Sequence, residues 1–230
     1  MPRWAGRGEE IFITLPRVGS KIYDFLMRES PMQKYYLEIA QDLTSRIPGG
    51  RLLDVGTGPG RLIGEIHKIN PNIELYGLDV SAAMLQQARK NLAGIPVDLR
   101  QGNIRNSGFP DESFDLVACT GSFYLWDRPE EGLQEIYRIL KKNACAYLFE
   151  CRREHDRREL KSALRENLRQ VNPIAKILGP LAIRQALDAA YSKNEIVEIG
   201  KRSSFRSSFR MDDITLSRIP IWVRVELKKE

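Results

Sequence analysis

The chain of 230 residues is 42% hydrophobic and 29% charged, an ordinary balance for one globular domain with room for an insert. No apolar run reaches the ~18 residues of a membrane-spanning helix. No collagen-like repeat or long low-complexity stretch occurs, and Cys119, Cys145 and Cys151 form no C-x-x-C pair, which excludes a disulfide scaffold and fits a reducing, cytoplasmic setting. The net charge of +6 is uneven: residues 1–150 hold 18 basic and 19 acidic side chains, and residues 151–230 hold 18 and 11. The surplus is either a surface that attracts anions, nucleic acid or headgroups, or a solvated helix face with a basic tail.

Residues 1–20 lack periodicity and read as a lead-in, with Glu9 and Glu10 where a signal peptide would need an apolar stretch. Tyr23–Arg28 and Gln33–Arg46 read as helices, the second from Tyr36, Ile39, Ala40 and Leu43 at helical spacing. Ile47-Pro48-Gly49-Gly50 ends that pattern. Arg51–Val55 is a predicted buried strand, Gly60–Ile69 a helix and Glu74–Leu78 a second strand. Ser81 is placed to cap a helix over Ala82–Leu92, and Val97–Gln101 and Phe114–Cys119 follow as strands. Asp127 is expected as the N-cap of the next helix, with Glu130 as its capping-box partner and Pro129 in the first turn. Leu133, Ile136, Tyr137 and Leu140 form its apolar stripe, and Ala144–Glu150 is a fifth strand.

Such alternation over about 100 residues implies a parallel sheet with helices on both faces. Beyond it, Leu160, Leu164, Leu168 and Val171 mark an amphipathic helix, Pro173 and Gly179-Pro180 punctuate the chain, and Ile183–Ala190 and Ser192–Ile199 read as short helices. Ser203–Leu216 and Ile221–Lys228 are expected to be extended, joined around Ser217–Pro220, which brings the sheet to seven strands.

The densest constellation is Asp54-Val55-Gly56-Thr57-Gly58-Pro59-Gly60, between a predicted strand and a predicted helix. Glycine at every second position lets the backbone turn sharply and a ligand approach closely. In open α/β sheets, ligands bind at this end of the strands. Nineteen residues after Gly60 comes Asp79, a carboxylate suited to the two hydroxyls of a ribose. The dinucleotide pattern G-x-G-x-x-G fails, because its sixth position is Arg61 counted from Gly56 and Ile63 counted from Gly58. An acid at Asp54 would repel a pyrophosphate and welcome a cation, which fits S-adenosylmethionine, with its sulfonium and ammonium.

The stretch LLDVGTGPGRL, LYGLDVSAAML, QGNIRNSGFPDESFDLV and EIYRIL resembles the class I S-adenosylmethionine-dependent methyltransferases, in particular the type 11 domain and the small-molecule subgroup that includes ubiquinone/menaquinone C-methyltransferases. The resemblance covers residues 51–150. Ile22-Tyr23-Asp24 resembles the "YD" element that precedes the domain in that subgroup, and Tyr191–Glu230 its terminal helix and hairpin.

It implies a three-layer Rossmann-like α/β fold: a seven-stranded, mostly parallel sheet with an antiparallel last strand and a helical insert. Residues 1–50 would be a helical lead-in or lid, 51–150 the cofactor core, 151–195 a helical cover over the acceptor and 196–230 the closing strand hairpin. It also implies that Asp54 bonds the methionine amine, and that Gly56, Thr57, Gly58 and Gly60 form the cofactor loop. Asp79 would hold the ribose, and Val80, Met84 and Ile104 would flank the adenine. Gly102 and Asn103 would sit at the adenine edge, Asn103 in place of the usual Asp but still with a carbonyl acceptor. Thr120, Gly121 and Ser122 would face the sulfonium, and Tyr23 would join a lid.

Close relatives often carry a His pair where this chain reads Ser122-Phe123-Tyr124-Leu125-Trp126, so no imidazole base is expected there. Tyr124 either orients an acceptor or packs as an ordinary aromatic. Neither His67 nor His155 is assigned as a base, and no spacing suggests a metal site. The expected activity is in-line methyl transfer to a small-molecule acceptor, an anionic one included, with the catalytic residues and oligomeric state left open. An RNA methyltransferase is the main rival, although the Asp/Asn-Pro-Pro-aromatic and Pro-Cys motifs of nucleic-acid enzymes are absent. A nucleotide-dependent oxidoreductase and a non-catalytic cofactor-binding subunit are the others.

Overall fold

The computed structural model describes residues 32–169 and 173–230. The lead-in, with Tyr23–Arg28, the Ile22-Tyr23-Asp24 element and the lid residue Tyr23, lies outside them, as does Val171. Helix α1 (Met32–Arg46) leads into β1 (Gly50–Val55), α2 (Arg61–Ile69), β2 (Ile73–Asp79), α3 (Ala82–Asn91), β3 (Val97–Gln101) and β4 (Phe114–Thr120). A 3-10 turn (Phe123–Leu125), α4 (Pro129–Ile139) and β5 (Leu140–Cys151) follow. The chain closes with α5 (Arg157–Asn167), α6 (Pro173–Ala189), α7 (Lys193–Arg202), β6 (Phe209–Leu216) and β7 (Ile219–Lys228).

The seven strands form one sheet in the order β3-β2-β1-β4-β5-β7-β6. The pairs from β3 to β5 are parallel, while β7 runs antiparallel to both β5 and β6. The order reverses direction between β1 and β4, where a doubly wound sheet opens its crevice.

Alternation along each strand sends side chains into two layers. Leu52, Leu116, Ala118, Tyr147, Phe149 and Trp222 pack with α1, α2 and α5 on one face. Leu53, Val55, Val117, Cys119, Leu148 and Val223 pack with α4 and α7 on the other. Both faces are covered, so the middles of the central strands are apolar, and the buried acids Asp54, Asp79 and Glu150 stand towards their carboxyl ends.

The local signals hold at most boundaries. Ser81 accepts from Met84 N at 3.3 Å and starts α3. Ser192 and Glu195 form a reciprocal capping box on α7. The Asp127 cap does not form: Arg128 takes the N-cap position without a side-chain bond, and Pro129 opens the helix. Asp127 pairs instead with Arg105 at 3.2 Å, and Glu130 with Arg202 at 3.1 Å, since each has a nearby cation to bond.

Strand β5 starts at Leu140, earlier than the apolar pattern implies, directly after α4. Asn143, at φ +62°, bends it, and Asn143 N and Lys229 N donate to Lys229 O and Ala144 O, tying the bend to the chain end. Gly179-Pro180 does not break the chain either: α6 runs continuously through Pro180. A helical φ suits the ring, and the cost is one backbone bond together with crowding of the carbonyl four residues earlier. Residues 203–208 are turns rather than strand. The hairpin turn is Ser217-Arg218, both left-handed, so Ile219 and Pro220 already belong to β7.

Candidate active site

The turn after β1 is built by its own backbone. Gly56 N and Thr57 N both donate to Leu78 O of β2, at 2.8 and 3.1 Å, and Gly60 N donates to Thr57 O at 2.9 Å. Gly56 and Gly58 are both left-handed, at φ +70° and +52°, a conformation other residues adopt at a cost. Their surroundings differ. A Cβ on Gly56 would lie 2.2 Å from Ser122 Oγ, whereas one on Gly58 would meet nothing within 4 Å. Gly58 therefore borders open space, and Gly56 is pressed against the turn after β4. Gly60 plays a different part, because its Cβ direction points at Leu92 and Ala88 and so serves the packing of α2 on α3.

Asp79 ends β2 and is nearly buried. Its Oδ2 accepts from Gly58 N and its Oδ1 from Ser81 N, both at 2.8 Å. One carboxylate thus holds the glycine loop and the start of α3, and each oxygen keeps a further lone pair. Burial pushes its pKa up, and the two N–H bonds pull it back.

Asp54, 3% exposed at the end of β1, is pushed up to about 7 by burial, with the Thr57 hydroxyl opposing the shift and Asp79 adding to it. Among the described residues no Lys or Arg forms a salt bridge with Asp54, Asp79 or Glu150. Buried acids without a counter-ion among the described residues, at the strand ends where Gly58 borders open space, are chemically suited to a cation.

Around this centre Val80 is 58% exposed, while Met84 and Ile104 are buried. Gly102 N donates to Asp79 O, bringing the end of β3 alongside. Asn103 is exposed, and its Oδ1 accepts from Arg105 N at 3.0 Å, so the side chain shapes its own turn. The Thr120 Oγ1 is buried without a hydrogen-bond partner among the described residues, and Gly121 is left-handed with open space where a Cβ would be. Asp54, Gly56, Thr57, Gly58, Asp79, Val80, Gly102, Thr120 and Gly121 thus gather at the carboxyl ends of β1 to β4.

The two histidines stay apart from it. His67 lies half-buried on α2, and the His155 Nδ1 contacts Arg153 O at 2.8 Å.

Sequence reasoning passed over Glu150. It is the penultimate residue of β5 at 2% exposed, its Oε1 accepts from Ser122 N at 3.0 Å and Phe123 N at 2.9 Å, and burial pushes its pKa up to about 8. The signal was a lone acid closing the apolar run ACAYLFE. Tyr124 is half-buried overall, but burial of its hydroxyl end and the nearby Cys151, Glu150 and Tyr36 push its pKa well above the phenol range.

Residues 53–148 match the methyltransferase domain family. This marks residues 53–148, from β1 into β5, as a methyltransferase domain. The chain is similar to the uncharacterized methyltransferase YdaC of Bacillus subtilis, 33% identical over 47% of this chain and 60% of that protein. It is also similar to the demethylmenaquinone methyltransferase of Chlorobaculum parvum, 31% identical over 56% and 54%. The chain thus spans about half to three-fifths of the length of these relatives.

Among solved structures, the plantazolicin methyltransferase BamL, in complex with a triazolic desmethylPZN analog and SAH, superposes with a TM-score of 0.69 over 92% of this chain and 90% of its own, at 17% identity. A SAM-dependent methyltransferase from Aquifex aeolicus gives 0.64 over 92% and 98%, also at 17%. At such identity the likeness is one of fold.

Proposed function

We propose that the protein is a methyltransferase that moves the methyl group of S-adenosylmethionine to a small-molecule acceptor. The observation that carries the reading is the cradle: a glycine loop open at Gly58, flanked by the buried acids Asp54 and Asp79, neither of them in a salt bridge among the described residues. A diphosphate would meet like charge there, and a ligand with an ammonium and a sulfonium meets the opposite charge.

On this reading Asp54 holds the ammonium, Gly56, Thr57 and Gly58 line the methionine part, and the free lone pairs of Asp79 take the ribose hydroxyls. Val80, Met84 and Ile104 enclose the adenine, with Gly102 and Asn103 at its edge. Thr120 and Gly121 form the acceptor-facing wall. The bound cofactor supplies an activated methyl group, so the protein has mainly to align the reactants and exclude water. No base is assigned, since a displacement needs one only when the acceptor must lose a proton.

Helices α5 and α6 would cover the acceptor. The similarity to a demethylmenaquinone methyltransferase is consistent with this assignment. The charge pattern supports it over RNA: Arg152, Arg153, Lys193, Lys201, Arg202, Arg218 and Arg224 of the basic third all pair with carboxylates. Three free cysteines fit a cytoplasmic setting, and no described helix is long and apolar enough to cross a membrane. Incubating the protein with cell extract and isotope-labelled S-adenosylmethionine, followed by mass spectrometry, tests the proposal. A labelled small molecule is expected; label confined to RNA would transfer the assignment to the rival, and no label at all would refute turnover.

A further inference from the structure

Glu150 plays no part in the roles above, yet it is an acid buried at 2% exposure. Its Oε1 gathers two backbone donors, Ser122 N and Phe123 N, with the Cys119 thiol at 3.7 Å, while its Oε2 has no hydrogen-bond partner among the described residues. The turn it holds is the one that meets the cofactor loop. Ser122 Oγ donates to Val55 O at 3.2 Å, immediately before Gly56, and leaves no room for a Cβ on Gly56 itself. Gly121 N donates to Phe149 O at 2.9 Å and ties the same turn to β5 a second time.

A continuous line therefore runs from Glu150 through Ser122 to the glycine loop. The groups that face Glu150 are the Cys119 thiol on β4, Tyr124 on the 3-10 turn, Cys151 on its own strand and Tyr191 before α7, with Asp54 acting on the same thiol from β1. None of these is a cation. If packing and the two N–H bonds were the whole requirement, a glutamine would meet it without burying a charge.

We infer that Glu150 is a positioning residue for the charged centre of the donor: it pins residues 121–123 against the cofactor loop and sets a negative charge behind them, favouring the sulfonium cofactor over its neutral thioether product. The inference rests on the methyltransferase reading and adds to it a means of releasing product. Once the methyl group has left, the positive charge that complements Glu150 is gone, while Asp54 and Asp79 see the same ammonium and ribose as before.

Calorimetric titration with S-adenosylmethionine and S-adenosylhomocysteine, in two buffers of different ionisation enthalpy near pH 8, tests it without an acceptor. The wild-type protein is expected to bind the sulfonium form roughly tenfold more tightly. It is also expected to release more protons on binding it, because a nearby cation favours the ionised carboxylate. Glu150→Gln, which keeps an acceptor for Ser122 N and Phe123 N, should lose both differences and keep its affinity for the thioether; Glu150→Ala should weaken both ligands. Equal proton release for the two ligands in the wild-type protein would overturn the inference whatever the variants do, as would an unchanged preference in Glu150→Gln. Binding of neither ligand by the wild-type protein would instead overturn the methyltransferase reading.

Discussion

A methyl group added at Gly58 would stand in free space, while the same group at Gly56 would collide with Ser122 Oγ, although both residues share a left-handed backbone. The two glycines can therefore be separated by experiment. Gly58→Ala is expected to cost only the left-handed penalty, about 1–2 kcal/mol by urea unfolding. It should still weaken S-adenosylmethionine binding by roughly tenfold or more, because the new group fills the approach that a ligand needs. Gly56→Ala should cost more in stability, since the turn after β4 must move as well.

Asp79 carries two loads. Asp79→Ala removes the acceptor for Gly58 N and Ser81 N, each a loss of about 1–3 kcal/mol where the donor stays dry. It also removes the group assigned to the ribose. Calorimetry on the folded variant should show no measurable cofactor binding; near-normal affinity would mean that Asp79 only organises the loop.

Among the elements, the closing hairpin stores strain at an identifiable place. Ser217 and Arg218 are both left-handed, at φ +49° and +63°, in a two-residue connection that suits Asn-Gly. Arg218 spends its exposed side chain on an ion pair with Glu166, and surface pairs contribute little. Arg218→Gly should therefore raise the melting temperature, by about 0.5–1 kcal/mol in free energy, without altering ligand binding. Ser217 is held more firmly, because its N–H donates to Glu38 of α1 at 2.9 Å.

Helix caps show how local rules compete with tertiary partners. Ser81 and Ser192 cap as their sequences imply, whereas Asp127 is drawn away by Arg105. Continuity of α6 through Pro180 follows the same logic, since a single lost backbone bond is tolerated in a helix whose end packs Leu187 and Ala190 into the core.

For the whole molecule, the buried acids link function to pH. Asp54 is raised to about 7 and Glu150 to about 8, each well above its value in an unfolded chain. Their contribution to stability is fully present below about pH 4, where both states are protonated. It falls as pH rises through the unfolded values towards 7 and 8, because only the unfolded chain ionises freely. Each pKa unit corresponds to ~1.4 kcal/mol. The ligand-free protein should therefore melt at lower temperature at pH 8 than at pH 5.5, and Asp54→Asn with Glu150→Gln should flatten that slope. S-adenosylmethionine should stabilise most at the high end, where the carboxylates it complements are ionised. A melting temperature that rose from pH 5.5 to 8 in the free protein and fell in the double variant would contradict this account.

Period-two and period-3.6 patterns decided the strands and helices of residues 33–151, because in a sheet covered on both faces burial and secondary structure report the same alternation. The glycine spacing and the two acids after β1 and β2 were equally readable, since a tight turn and a ribose each demand particular residues at short range. Other features came only with the tertiary structure. Glu150 reaches its donors, Ser122 and Phe123, across 28 and 27 residues of chain. The diversion of Asp127 to Arg105 and the bend of β5 at Asn143, tied to Lys229, likewise depend on partners distant in sequence. A local pattern records what a residue costs in its own segment. Which distant group satisfies it, or leaves it unsatisfied as with the second oxygen of Glu150, is decided when the sheet brings the strand ends together.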